Sequence, residues 1–218
     1  MIPNNIMLTW KNTNIPQAVV DRWKLLNPYY NICFFTDEDI IHFLNTYYGV
    51  AYSDFFRRIP FGRYKSDFFR YCYLYQCGGF YVDIDLEPVA SIQDVIPRDF
   101  SFLSIVSTYL PGQIFQAVLF SEPKHPILNM CIASMFLYGS NIGIDPPDVY
   151  PFKGHPTVCM YENVCKYLKQ DKLQEGMYGS VALGIEYPIY GRNAVFIQGK
   201  LFAYTKYENY DRELGFLK

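Results

Sequence analysis

A helical pattern over residues 62–76, a glycine pair and a strand bearing two aspartates follow one another without a break up to Pro88. The helix period sets Asp67 and Arg70 on one face, three residues apart. Gly78-Gly79 stops the helix, since glycine takes the left-handed conformation that ends one. Residues 80–86 then read as a strand, where positions two apart share a face. Tyr81, Asp83 and Asp85 fall on one side; Phe80, Val82, Ile84 and Leu86 fall on the other, as core. Two carboxylates on one face at a strand end repel each other unless a cation lies between them. Hard oxygen ligands suit Mn²⁺ or Mg²⁺. The tight turn brings the helix face beside the strand end, where Arg70 can orient Asp67 or neutralise phosphate charge.

An isolated Asp-x-Asp carries little information. The chain has a second, Asp37-Glu38-Asp39, at a predicted helix start where acids favour the dipole. Thr36 and Asp39 form a capping-box pattern there, so this pair reads as a helix end. What singles out Asp83 and Asp85 is the helix that precedes them.

Around this segment, helical and strand signals alternate, which favours an α/β fold in one domain over residues 1–218, or in one domain of a longer polypeptide. Residues 6–10 and 31–35 read as strands, with a helix opened by Pro16 between them. Further strands are expected at 100–106 and 114–120, and helices from His125-Pro126 and His155-Pro156. Residues 141–154, rich in Pro, Gly and Asp, read as a long functional loop, and short strands are expected from Met177.

The 218 residues suffice for one sizeable core, and 18% charged residues is ordinary. A net charge of −2 argues against nucleic-acid binding, but not against a phosphorylated ligand whose charge a divalent cation offsets. The 21 tyrosines suit sugar or base stacking as well as a core. Arg57, Arg58 and Arg63 precede the motif helix, either to attract an anionic ligand or as a solvated basic face. None of the six cysteines has zinc spacing, so free thiols in a reducing compartment are expected. There is no signal-peptide pattern and no apolar run of membrane-spanning length. The setting expected from these features is cytoplasmic, in a bacterium or a virus-infected host.

The run from Lys65 to Pro88 resembles the signature of glycosyltransferase family 32, sugar transferases with a DXD sugar-binding region. The matching positions are Asp67, Arg70, Tyr71, Gly78, Gly79, Tyr81, Asp83 and Asp85. Asn27-Pro28, Phe35-Thr36-Asp37 and the stretch from Gln116 to Pro126 extend the likeness. The resemblance implies a GT-A fold with a mixed central sheet flanked by helices. It also implies a divalent metal, usually Mn²⁺, and a nucleotide-sugar donor, UDP-linked first and GDP-linked next. By position, Asp83 would touch the donor's sugar or ribose and contribute to the metal site, and Asp85 would bind the metal directly. Asp67 and Arg70 would hold the transferred hexose, with Tyr81 and Arg63 on the donor side. Thr9 and Trp10 would border the base. Family members are classed as retaining, and compact ones serve capsid or surface glycans of viruses and bacteria.

The chain departs from the family in its tail, 202–210, where a His and a Ser-Trp are missing and Lys206 or Tyr207 would instead touch the diphosphate. The family's Thr-Gly-Pro loop becomes Lys153-Gly154-His155-Pro156. His155 is therefore a third metal ligand, an acceptor-side contact or a helix cap. Two other functions remain open: a metal-dependent phosphoesterase, and a non-catalytic nucleotide-sugar-binding module. The acceptor of a transferase would be a glycan or a glycoprotein.

Overall fold

The computed structural model describes residues 2–10, 17–97, 99–138, 155–189 and 191–205. The chain opens with β1 (Asn5–Thr9), α1 (Gln17–Leu26) and β2 (Asn31–Phe35), followed by helices α2 (Asp37–Tyr47), α3 (Val50–Arg58) and α4 (Gly62–Cys77). Next come β3 (Gly79–Val82), β4 (Glu87–Pro88), α5 (Ile92–Val95), β5 (Phe102–Ser107) and β6 (Ile114–Ser121). Helices α6 (Pro126–Tyr138) and α7 (Pro156–Leu168) precede β7 (Gly176–Tyr178), β8 (Val181–Ile189), β9 (Arg192–Ile197) and β10 (Lys200–Tyr204). This is the mixed α/β architecture the sequence leads one to expect.

The strands form one sheet in the order β2-β1-β3-β6-β5-β8-β9-β10-β4, with β7 beside β8. β1 runs parallel to β2 and β3, and β5 parallel to β8, while β6 is antiparallel to both its neighbours. Strand alternation divides the core between the two faces. Met7, Tyr81 and Leu119 join one cluster with residues of α2, α3, α4, α6 and α7. Ile6, Leu8, Phe80, Val82, Val118 and Phe120 join the other, closed by Val19, Val20 and Trp23 of α1 and by α5.

The order also dictates curvature. β3 and β4 stand six strand steps apart in the sheet, ~29 Å if it were flat. The chain between Val82 and Glu87 spans at most ~18 Å. The sheet therefore curls, and β4 and β10 return toward the end of β3. Arg22 and Arg192 pin this seam through Glu87, at 2.9 and 2.6 Å.

Two expectations change. The strand at 80–86 ends at Val82, and residues 83–86 form a turn in which Leu86 N–H donates to the Asp83 carbonyl at 3.1 Å. Alternation survives in burial nonetheless: Ile84 and Leu86 are buried, and Asp83 and Asp85 are half-buried. The second change is α3, a helix the sequence reading passes over because Gly49 and Pro60 leave it only nine residues. Arg57 lies on it and pairs with Asp54 at 2.8 Å, while Arg58 Nε donates to the Asp54 carbonyl; these two are local helix contacts. Pro16, the loop at 141–154, Lys153-Gly154 and Lys206-Tyr207 lie outside the described residues.

Candidate active site

Helix α4 starts without a side-chain cap and runs until Gly78, whose φ of +67° turns the chain. A Cβ on Gly78 would stand 2.7 Å from Pro123 Cδ, and one on Gly79 (φ +108°) 2.8 Å from the Asn5 carbonyl oxygen. Only glycine lets β3 begin this close to β1. The glycine pair thus delivers the end of β3 to the cleft face of α4, where Arg63, Ser66, Asp67 and Arg70 recur at helical spacing.

Arg70 lies at the centre and is 3% exposed. Its guanidinium meets Asp83 Oδ1 at 3.1 Å and Asp67 Oδ1 at 3.3 Å, donates to the carbonyls of Ser66 and Gln116, and stacks over the Tyr81 ring. The Asp67–Arg70 pair is therefore a buried element of the site. Burial pushes the Asp67 carboxyl up to about 6; Arg70 opposes this and Asp83 adds to it. Burial disfavours the Arg70 charge, but Tyr81, Asp83 and Asp67 outweigh it and hold the guanidinium above its usual range. Burial also raises the Tyr81 hydroxyl well above normal, so it stays a neutral donor, and it donates to Asp83 Oδ1.

A hydrogen-bonded line crosses from β1 to this turn. Thr9 Oγ1 meets Ser66 Oγ at 2.9 Å, Ser66 Oγ meets Tyr81 OH at 2.8 Å, and Tyr81 reaches Asp83. Thr9, Trp10, Arg63, Asp67, Arg70, Tyr81, Asp83, Asp85 and His155 all line one cleft of about 850 Å³. That volume suits a ligand of nucleotide-sugar size. The second acidic pair behaves as a helix end: Thr36 and Asp39 complete a reciprocal capping box, and Asp37 pairs with Lys65 at 2.7 Å.

His155 caps α7. Its ring is 4% exposed and lies edge-on to Tyr64, and Nδ1 meets the Thr157 hydroxyl at 2.7 Å. Among the described residues, no group of three His, Cys, Asp or Glu side chains could hold a metal ion. His155, the expected third ligand, lines the same cleft as Asp83 and Asp85 and is the buried cap of α7. A two-metal phosphoesterase centre, which needs more such ligands, finds no cluster there. Two carboxylates remain. Arg70 and Tyr81 occupy one oxygen of Asp83, whose side chain is still 32% exposed, and Asp85 lies two residues on in the same cleft wall. One or two carboxylates completed by phosphate oxygens and water is the donor set that Mg²⁺ or Mn²⁺ takes.

Sequence reasoning missed Ser66, Gln116 and Glu186. Ser66 was legible from its helical spacing to Arg63 and Arg70. Gln116, which accepts from Tyr71 OH, and Glu186 on β8 enter through sheet order alone.

The curled mixed sheet and this carboxylate–guanidinium site form a GT-A-like arrangement, and the known proteins that this chain resembles in sequence and fold are glycosyltransferases. Residues 16–102 match the family described as glycosyltransferase sugar-binding region containing DXD motif, a region that generally implies divalent metal use. Inositol phosphoceramide mannosyltransferase 1 of Schizosaccharomyces pombe is 29% identical over 174 residues, 77% of this chain and 52% of that protein. Inositol phosphoceramide mannosyltransferase 3 of the same yeast is 34% identical over 143 residues, 64% of this chain and 39% of that protein. The chain thus spans about half the length, or less, of these relatives. In fold, a chain named PaToxG Glycosyltransferase superposes with a TM-score of 0.51 at 17% identity, covering 77% of this chain and 70% of that one. These relatives overturn the expected bacterial or viral cytoplasmic setting: they are yeast enzymes named for a ceramide, a membrane lipid. Among the described residues, no helix is long and apolar enough to cross a membrane.

Proposed function

We propose that this chain, as a single GT-A domain, binds a nucleotide-sugar donor with Mn²⁺ or Mg²⁺ and transfers its hexose to a hydroxylated acceptor. The observation that carries this reading is the buried Asp67–Arg70–Asp83–Tyr81 network opening onto the cleft beside Asp85. Asp85 and the free oxygen of Asp83 would hold the cation, which supplies positive charge to the departing diphosphate. Thr9 and Trp10 border the base at the tip of β1. Asp67, fixed by Arg70, accepts hydrogen bonds from donor-sugar hydroxyls. Arg63, which lines the cleft and packs over the rings of Phe61 and Tyr64, would meet the donor phosphates.

UDP- and GDP-linked hexoses are the donors to test; the names of the yeast relatives favour mannose and add a phosphoinositol lipid headgroup to the glycan and protein acceptors. Retention of configuration follows the family resemblance. The test is turnover of UDP-glucose, UDP-galactose and GDP-mannose with and without Mn²⁺. Metal-dependent release of one nucleoside diphosphate is expected, and none from Asp85→Asn. Full activity in that variant would remove Asp85 from the metal site.

A further inference from the structure

Further along the sheet, the same cleft holds a second polar cluster that the donor-side reading does not use. Glu186 of β8 is 2% exposed and lines the cleft. It stands in register with Ser107 of β5, three strands from β3, about 14 Å at ordinary strand spacing. Asn193 Nδ2 donates to Glu186 Oε1, and the Ser107 side chain attends the same carboxylate. Among the described residues, Glu186 Oε2 is buried with no hydrogen-bond partner. A buried carboxylate oxygen without a donor is costly, and native structures rarely keep one without a use. In the same cleft, Gln113 Oε1 accepts from the Thr157 hydroxyl at 2.6 Å.

We infer that Glu186 Oε2 is the hydrogen-bond acceptor for the incoming hydroxyl that receives the sugar. This rests on the transferase reading above. The position fits: base, diphosphate and sugar extend from β1 past β3, and the acceptor approaches from the β5–β8 side. Water is the smallest occupant of that subsite. In donor hydrolysis its oxygen bonds to the anomeric carbon as the bond from that carbon to the diphosphate oxygen breaks. The diphosphate departs with the electron pair, and Glu186 takes the proton of the O–H that donates to it; water keeps its second O–H on the released sugar, and an alcohol acceptor gives up its only proton by the same route.

Glu186→Gln tests this. The amide keeps the shape, and with its oxygen facing Asn193 it puts an NH₂ where Oε2 stood. Donor affinity is read by calorimetry with the UDP- and GDP-sugars and Mn²⁺, and hydrolysis by nucleoside diphosphate release in water. The expected result is donor Kd within twofold of wild type and hydrolysis lowered at least tenfold. Ser107→Ala, which leaves the charge in place, should give a smaller loss in the same direction if Glu186→Gln fails to fold. Unchanged hydrolysis in the folded variants overturns the inference, as does a donor Kd that rises in step, which would put Glu186 on the donor side. A wild-type protein that binds a donor but leaves it intact also overturns it. A wild-type protein that binds none of the donors overturns the transferase reading itself.

Discussion

Arg70 shows how a single side chain can serve fold and site together. It neutralises the buried Asp67 carboxylate and one oxygen of the half-buried Asp83. Arg70→Ala leaves Asp67 and Asp83 uncompensated, and loss of about 3–5 kcal/mol is expected in urea denaturation. Arg70→Lys keeps a charge but not the planar fork, so most of the stability should return while donor turnover stays low. A loss below about 1 kcal/mol for Arg70→Ala would mean the carboxylates find another partner. The residue scale was largely legible in the sequence: Asp67, Arg70, Asp83 and Asp85 were visible as spacing on a helix and beyond a glycine pair. What spacing could not show was burial. A pair three apart on a helix is usually a surface ion pair, and contacts distant in sequence, with Gln116 of β6, Tyr81 and Asp83, make this one internal.

At the scale of elements, the glycine turn and the helix starts carry the site. Gly79→Ala forces a Cβ against backbone at positive φ, so a loss of at least about 2 kcal/mol is expected by the same denaturation. Thr36→Ala removes only a capping box and should cost about 1 kcal/mol.

His125, at the start of α6, stacks on Phe102 and accepts from Ile127 N–H. Burial pulls its pKa down from 6.5 to about 4, with Glu122 opposing. Between those values the unfolded chain binds the proton and the folded one does not. The stability of the neutral ring is therefore complete above about 6.5 and falls as pH drops toward 4. Asp67, shifted upward, has the opposite sign, so the readout is the difference between proteins. His125→Asn, which keeps a capping acceptor, should lose less Tm between pH 7 and pH 5 than wild type. Equal losses would contradict the assignment.

Capping signals announced α2, α6 and α7 within a residue or two, whereas α3 escaped because glycine and proline hem it in. The strand expected through residue 86 ended four residues early: side-chain alternation persisted into the turn, and periodicity reads burial, not hydrogen bonding.

At the scale of the whole molecule, sheet order was the illegible part. No local signal says that β10 and β4 return to the end of β3, yet the sheet order brings Glu186 of β8 into the cleft that Asp83 lines. Both core clusters share the one sheet, so unfolding followed by fluorescence and by circular dichroism should give coincident transitions. Two separated transitions would divide the chain into independent units.

The central claim is that the cleft binds a nucleotide through a cation held at Asp83 and Asp85. A thermal shift with UDP and GDP, each with and without Mn²⁺, tests it most directly in wild type and Asp85→Asn. Nucleotide at about 100 times its Kd adds about 2.7 kcal/mol, a rise of roughly 5–10 °C for a domain this size. The expected result is a rise with one nucleotide that requires Mn²⁺ and vanishes in Asp85→Asn. A rise that persists in the variant, or no rise with either nucleotide, would contradict it.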